Sequence, residues 1–76
     1  MVIAYVMIKA STGRAETLRN AVAAIDGVEA ANIVAGDVDI IARLAVDSPA
    51  AVKNAVATEV RGIDGVEDTQ TYVAVD

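Results

Sequence analysis

The pentapeptide Ile25-Asp26-Gly27-Val28-Glu29 occurs twice. It returns as Ile63-Asp64-Gly65-Val66-Glu67, 38 residues later, which is half of this 76-residue chain. Each copy stands where an apolar run of helical period stops and a β-branched run begins. Glycine just past the last helical residue is the usual helix stop, because it tolerates the left-handed conformation. The chain therefore reads as two β-α-β halves. Ile-Asp-Gly-Val used twice as helix-stop and strand-start chemistry, without any duplication, leads to the same topology.

In chain order, Val2 to Lys9 is rich in Val, Ile and Tyr and predicts a strand. Ser11-Thr12-Gly13 supplies a turn and a helix start, with Glu16 placed to suit the dipole of the first turn. From Arg14 to Ile25 the period is helical, with Ala15, Leu18, Val22 and Ile25 on one stripe and Ala21 beside it. Val28 to Val34 predicts the second strand, Gly36-Asp37 a reversal, and Asp39 to Val46 the third strand. Ser48-Pro49 predicts a cap followed by Pro at the first helical position. Val52, Val56, Val60 and Ile63 form the stripe of that second helix, with Lys53, Asn54, Thr58, Glu59 and Arg61 outside it. Val66 to Val75 predicts the last strand. Two such halves joined by a hairpin give an α+β, ferredoxin-like β-α-β-β-α-β sandwich. Right-handed crossovers put both helices on one face of a four-stranded antiparallel sheet.

That leaves the other sheet face bare, and it is not polar. In the first strand Val2, Ala4, Val6 and Ile8 alternate with Ile3, Tyr5 and Met7, so both sets are apolar. In the third, Ile40, Ala42, Leu44 and Val46 alternate with Asp39, Ile41, Arg43 and Ala45. A half-solvated antiparallel sheet normally alternates apolar with polar, and a contiguous apolar face marks an interface. The expectation is a symmetric dimer packed sheet against sheet, of the dimeric α/β-barrel type. A chain this short also gains from association. It is 55% hydrophobic but 3% aromatic, so Val, Ile, Leu and Ala must build its core.

Composition removes several function classes. There is neither cysteine nor histidine, so disulfides, thiol chemistry and the commonest general base and metal ligand are absent. Ser11 and Ser48 therefore lack a histidine partner, and the five scattered glycines make no phosphate loop. No catalytic residue, metal site or cofactor is expected. A net charge of -5 and the scarcity of aromatics argue against direct nucleic-acid binding. No apolar run approaches a membrane span and no basic flank precedes Val2. One soluble, cytoplasmic domain covering residues 1–76 is expected. Lysine is confined to Lys9 and Lys53 while Asp is common, a balance that points to a halophilic source; full stability after dialysis to low salt would contradict it.

The stretch Gly36-Asp37-Val38-Asp39 puts two carboxylates on a loop between strands. It is a cradle for a small cation or an ammonium group, or else an ordinary hairpin kept solvated by its aspartates; the loop alone favours the second. With Ile40-Ile41 after it, and with Ile63-Asp64-Gly65-Val66-Glu67-Asp68-Thr69-Gln70-Thr71 at the last strand, the chain resembles the effector-binding (RAM) domain of Lrp/AsnC transcription regulators over essentially its whole length. Members carry Gly-x-Tyr-Asp at the loop and Gly-Val followed by Thr-x-Thr at the last strand; Val38 stands where the aromatic is usual. ACT domains share the element order but not this joint spacing.

The resemblance implies domains that dimerise through their sheets and assemble into octamers or similar rings. It implies small effectors, amino acids above all, held between dimers near the hairpin loop and the last strand. Carried over, the ligand-binding residues are Gly36, Asp37, Val38, Asp39, Thr69 and Thr71. Met1 leads directly into the first strand, so the expectation is a stand-alone effector domain without the helix-turn-helix. Such a domain senses amino acids alone or co-assembles with a full-length Lrp/AsnC regulator. The rival readings are a purely structural assembly subunit and a small dimeric α/β-barrel enzyme. The enzyme is disfavoured by the missing histidine, and fold alone never decides it.

Overall fold

A computed structural model describes residues 1–11 and 13–76; Thr12, placed by sequence in the first turn, lies outside the described residues. The elements are β1 (Val2–Ala10), α1 (Ala15–Ala23), β2 (Val28–Ile33), β3 (Ile40–Val46), α2 (Pro49–Asn54), a π-helical segment continuing it (Ala55–Val60), and β4 (Val66–Val73). The sheet order is β2-β3-β1-β4, antiparallel at every step. This is the ferredoxin-like α+β sandwich expected.

The two strand sets divide as their periodicity requires. Ala4, Val6 and Ile8 of β1 and Ile40, Ala42 and Leu44 of β3 have no accessible surface. They meet in register as Ala4 with Leu44, Val6 with Ala42 and Ile8 with Ile40. Leu18 and Val22 from α1, Val52 from α2 and Ala55, Val56 and Val60 from the π segment cover them. Burying side chains as large as Ile8, Ile40 or Leu44 contributes about 1.5–3 kcal/mol each. The odd-numbered set faces away from the helices. There Tyr5 lies between Arg43 on one side and Tyr72 on the other, with Ile3, Met7, Ile41 and Ala45 half-buried around it. Arg43 pairs with Glu29 across the β2–β3 ladder, so this face holds an ion pair beside its apolar centre, with Asn32 and Gln70 at its flanks.

The repeat is built into the hydrogen bonding. In the first half the Ile25 N–H donates to Val22 O and the Val28 N–H to Ile25 O, both at 3.1 Å. In the second, the Ile63 N–H donates to Val60 O at 3.1 Å and the Val66 N–H to Ile63 O at 3.3 Å. The glycines between them have φ +95 (Gly27) and +101 (Gly65), where a side chain is strained. Each glycine carbonyl then accepts from a residue of the other half-sheet or its flank: Gly27 O from the Ala45 N–H at 2.9 Å, Gly65 O from the Ser11 N–H at 3.0 Å.

Several boundaries differ from expectation. Ser11 does not start α1: Arg14 occupies the cap position without a side-chain hydrogen bond to the helix end, and Ser11 Oγ donates to Gly65 O at 3.2 Å. The helix closes at Ala23, with Ile25 already in the turn. Gly36-Asp37 is not a tight two-residue turn. The Val34 N–H donates to Asp39 O at 2.9 Å, which leaves a four-residue loop, 35–38, beyond that pair. β4 ends at Val73, and Val75 is 98% exposed. Ser48 caps α2 as expected, accepting from the Ala51 N–H at 3.2 Å, with Pro49 at the start. The π segment has no distinct signal in the sequence; in it the Arg61 N–H donates to Val56 O at 3.0 Å, and Ala55, Val56 and Val60 are buried.

We expect Gly27→Ala to lower stability by about 1–2 kcal/mol, through the left-handed backbone. An added Cβ would also sit 2.9 Å from Val46 Cγ1. Gly13→Ala, with nothing within 4 Å, should stay within about 0.5 kcal/mol. Urea denaturation of both variants checks this.

Candidate functional site

The β2–β3 loop is fixed at its C-terminal end by one carboxylate. The β1–β3 ladder ends at Ile8 and Ile40, so the Ala10 N–H lies beyond its last pair. Asp39 Oδ2 accepts it at 2.8 Å, while the Asp39 N–H donates to Ile8 O at 3.0 Å. Asp39 is half-buried, whereas Gly36 and Asp37 are exposed and Val38 is half-buried between them. The two aspartates thus have different duties. Asp39 holds the loop to β1, and Asp37 presents its carboxylate to solvent. Among the described residues no three His, Cys, Asp or Glu side chains group as a metal site would need.

Thr69 and Thr71 lie elsewhere. They pair with Ile8 and Val6 and so stand on the helix-covered face, at the outer edge of the sheet, with Val73 continuing the row. The α2 helix covers β1 and β3 more than β4. A groove of about 440 Å³ is left between the flank of α2 and its π segment on one side and the β4 row on the other. Its walls include Val52, Lys53, Val56 and Arg61, its floor Thr69, Thr71 and Val73. That volume falls in the range of small-molecule sites. A more enclosed cleft of about 150 Å³, between Arg14, Leu18, Asp64 and Gly65, falls below it.

The carried-over residues therefore form two groups within one chain. Ile8 pairs with Ile40 on one side and Thr69 on the other, so the loop end of β3 and the threonine row are two strands apart, roughly 10 Å. Neither the groove nor the smaller cleft is lined by both groups. In the sequence Lys53 and Arg61 simply fall outside the apolar stripe of the second helix. Only the topology shows that they overhang the threonines, because no local pattern links residues 53 and 61 to 69 and 71.

A family model described as the Lrp/AsnC ligand binding domain matches residues 3–76. No curated protein matches the sequence. Among solved structures, TTHA0845 from Thermus thermophilus superposes with a TM-score of 0.95 at 26% identity, covering 100% of this chain and 95% of that one. AsnC of E. coli superposes with a TM-score of 0.90 at 17% identity, over 99% of this chain and 51% of that one. The transcriptional regulator NMB0573 from Neisseria meningitidis, solved as an L-Met complex, gives a TM-score of 0.86 at 16% identity, over 99% and 50%. The chain thus spans about half the length of these two regulators. Among the described residues no helix is long and apolar enough to cross a membrane.

The split duties of the two aspartates set a test. Asp39→Ala strands the Ala10 N–H and should cost about 1 kcal/mol with no ligand present. Asp37→Ala should change stability by less than about 0.5 kcal/mol. Chemical denaturation of the two unliganded variants separates them. It also makes Asp37, rather than Asp39, the residue for probing a ligand response.

Proposed function

This chain belongs to the Lrp/AsnC ligand-binding domain family, and from that premise we propose that it is a small-molecule sensing and oligomerisation module whose effector is an amino acid. The observation that carries the reading is the family match across residues 3–76, joined to a threonine row that floors a groove of suitable size. An amino acid needs acceptors for its ammonium and donors for its carboxylate. Asp37 supplies the first. The hydroxyls of Thr69 and Thr71 and the N–H groups around Gly36 and Val38 supply the second.

Within one copy these groups are too far apart to close on so small a molecule. A loop from one copy set against the threonine row of another brings them together, and this favours a pocket at a subunit boundary. Such a pocket couples ligand to assembly, because the oligomer that binds more tightly gains population. The bare sheet face fits the same picture. Tyr5, Tyr72, Ile3, Met7 and Ile41 form an apolar surface on which a second copy packs as a homodimer. A full-length Lrp/AsnC regulator presenting the same sheet face is the other partner that this surface suits. Nothing in the residues favours catalysis, and we read the module as a non-enzyme.

A thermal-shift screen against the common amino acids tests the reading. An effector at 100 times its Kd should stabilise the fold by about 2.7 kcal/mol, a rise of roughly 10 °C or more for a domain this size. Asp37→Asn should remove most of that rise. No rise with any amino acid would sink the sensing role and leave an assembly subunit. Sedimentation of the unliganded protein as a monomer would sink the sheet-to-sheet dimer.

A further inference from the structure

We propose that the groove between α2 and β4 takes a short dicarboxylate, with Lys53 and Arg61 as the partners of its two carboxylates. This rests on the ligand-sensing reading and names the class of ligand.

The first ground is charge. The chain carries -5 overall with six basic residues, yet two of the six line this one groove and no Asp or Glu does. The cleft beside the first repeat turn is the opposite, with Asp26, Asp47 and Glu59 on its walls. A cationic groove on an acidic chain does not follow from the net charge; it is local. The second ground is partnership. Arg43 is paired with Glu29, but among the described residues neither Lys53 nor Arg61 has an ion-pair partner. The hydroxyls of Thr69 and Thr71 make no hydrogen bond among the described residues either; only the Thr69 backbone N–H is engaged by a side chain, donating to Asp68 Oδ1.

The third ground is spacing. Residues 53 and 61 are eight apart and flank the π segment (Ala55–Val60), so they stand about two helical turns apart. Both line the groove, and that separation sets them toward its two ends instead of at one point. One carboxylate cannot meet both cations, whereas two joined by a few methylenes can. The strip between the cations is apolar, from Val52 on the wall to Val73 at the end of the floor, and suits methylenes. The threonines add hydroxyl donors beside each carboxylate. Inorganic phosphate leaves the valines unused, and a monocarboxylate with a branched tail leaves one cation against its tail. The π segment forms part of this wall, and such segments recur at functional sites.

The short dicarboxylate can come from an acidic amino acid or from a 2-oxo diacid. The test measures binding of glutarate, 2-oxoglutarate, L-glutamate and butyrate by calorimetry at low ionic strength, on the wild-type protein and on Lys53→Gln and Arg61→Gln. Both side chains are exposed, so the variants should melt as the wild type does. Glutarate should bind the wild type, and each variant should lose about fivefold in affinity, the reach of one exposed ion pair. Butyrate should bind more weakly than glutarate, and raised salt should weaken glutarate further. L-Glutamate binding more tightly than 2-oxoglutarate, by a margin that Asp37→Asn removes, would identify the amino acid as the source. Equal affinities would identify the diacid without an ammonium. Glutarate failing to bind the wild type, or binding both variants unchanged, overturns the proposal. If another amino acid still raises the melting temperature, the sensing reading survives that failure; if none does, both fall.

Discussion

The ladder between β1 and β3 is the constraint on which the other elements depend. Its helix-facing pairs set small against large, Ala4 with Leu44 and Val6 with Ala42, before closing on Ile8 with Ile40. A chain without Phe or Trp cannot fill a thick core. It compensates by keeping the layers close, and alanines at the centre of the sheet let the helices approach. Leu18, Val22, Val56 and Val60 then reach the strands directly. The arrangement leaves little room for deeper cavities, since interiors are packed to crystal-like density. The groove at the β4 edge lies where the helices stop covering the sheet.

The same economy explains the bare face. Both sets of β1 residues are apolar, the pattern of a strand covered on two sides, and the sheet-to-sheet dimer proposed above would supply the second cover. The helices cover one side only. Arg43 fits this account because its charge is met by Glu29 from the neighbouring strand, which lowers the cost of placing it in a covered surface. The adjacent Tyr5 and Tyr72 supply most of the large exposed apolar area there, at 38% and 52% exposure.

How far the fold could be read from sequence follows from which signals are local. The Ile-Asp-Gly-Val repeat marked both helix ends, because a left-handed glycine after a helix is a local requirement, and Gly27 and Gly65 meet it with φ of +95 and +101. Ser48-Pro49 was legible for the same reason. Ser11 misled, since its hydroxyl serves the Gly65 carbonyl 54 residues away instead of the neighbouring helix. The widened turn after Asn54 has no distinct signal, since the fours that separate Val52, Val56 and Val60 fit an ordinary helix. Asp39 reads along the chain as a solvating loop residue, and only the end of the β1–β3 ladder at Ile8 and Ile40 shows which N–H it accepts.

The candidate site was legible in its parts but not in its grouping. A motif written along the chain gives Gly36 to Asp39 and Thr69 with Thr71 equal standing, yet the sheet order separates them by a whole strand. The cations that share the threonine groove belong to no motif. They reach it because the crossover lays α2 antiparallel to β4, which brings residue 61 toward Thr69 and residue 53 toward Val73. A sensor built on this fold has half of its polar groups on a loop and half under a helix, on opposite sides of β1. Neither half encloses a ligand alone, and the short loop, closed by the Val34 to Asp39 bond and tied to β1 through Asp39, does not reach across to the other. On the readings proposed above, closure comes from another copy or from a ligand long enough to use both ends of the groove. Either route places the site at the β4 edge, the least covered part of the sheet and the part whose packing a second chain would change at the smallest cost.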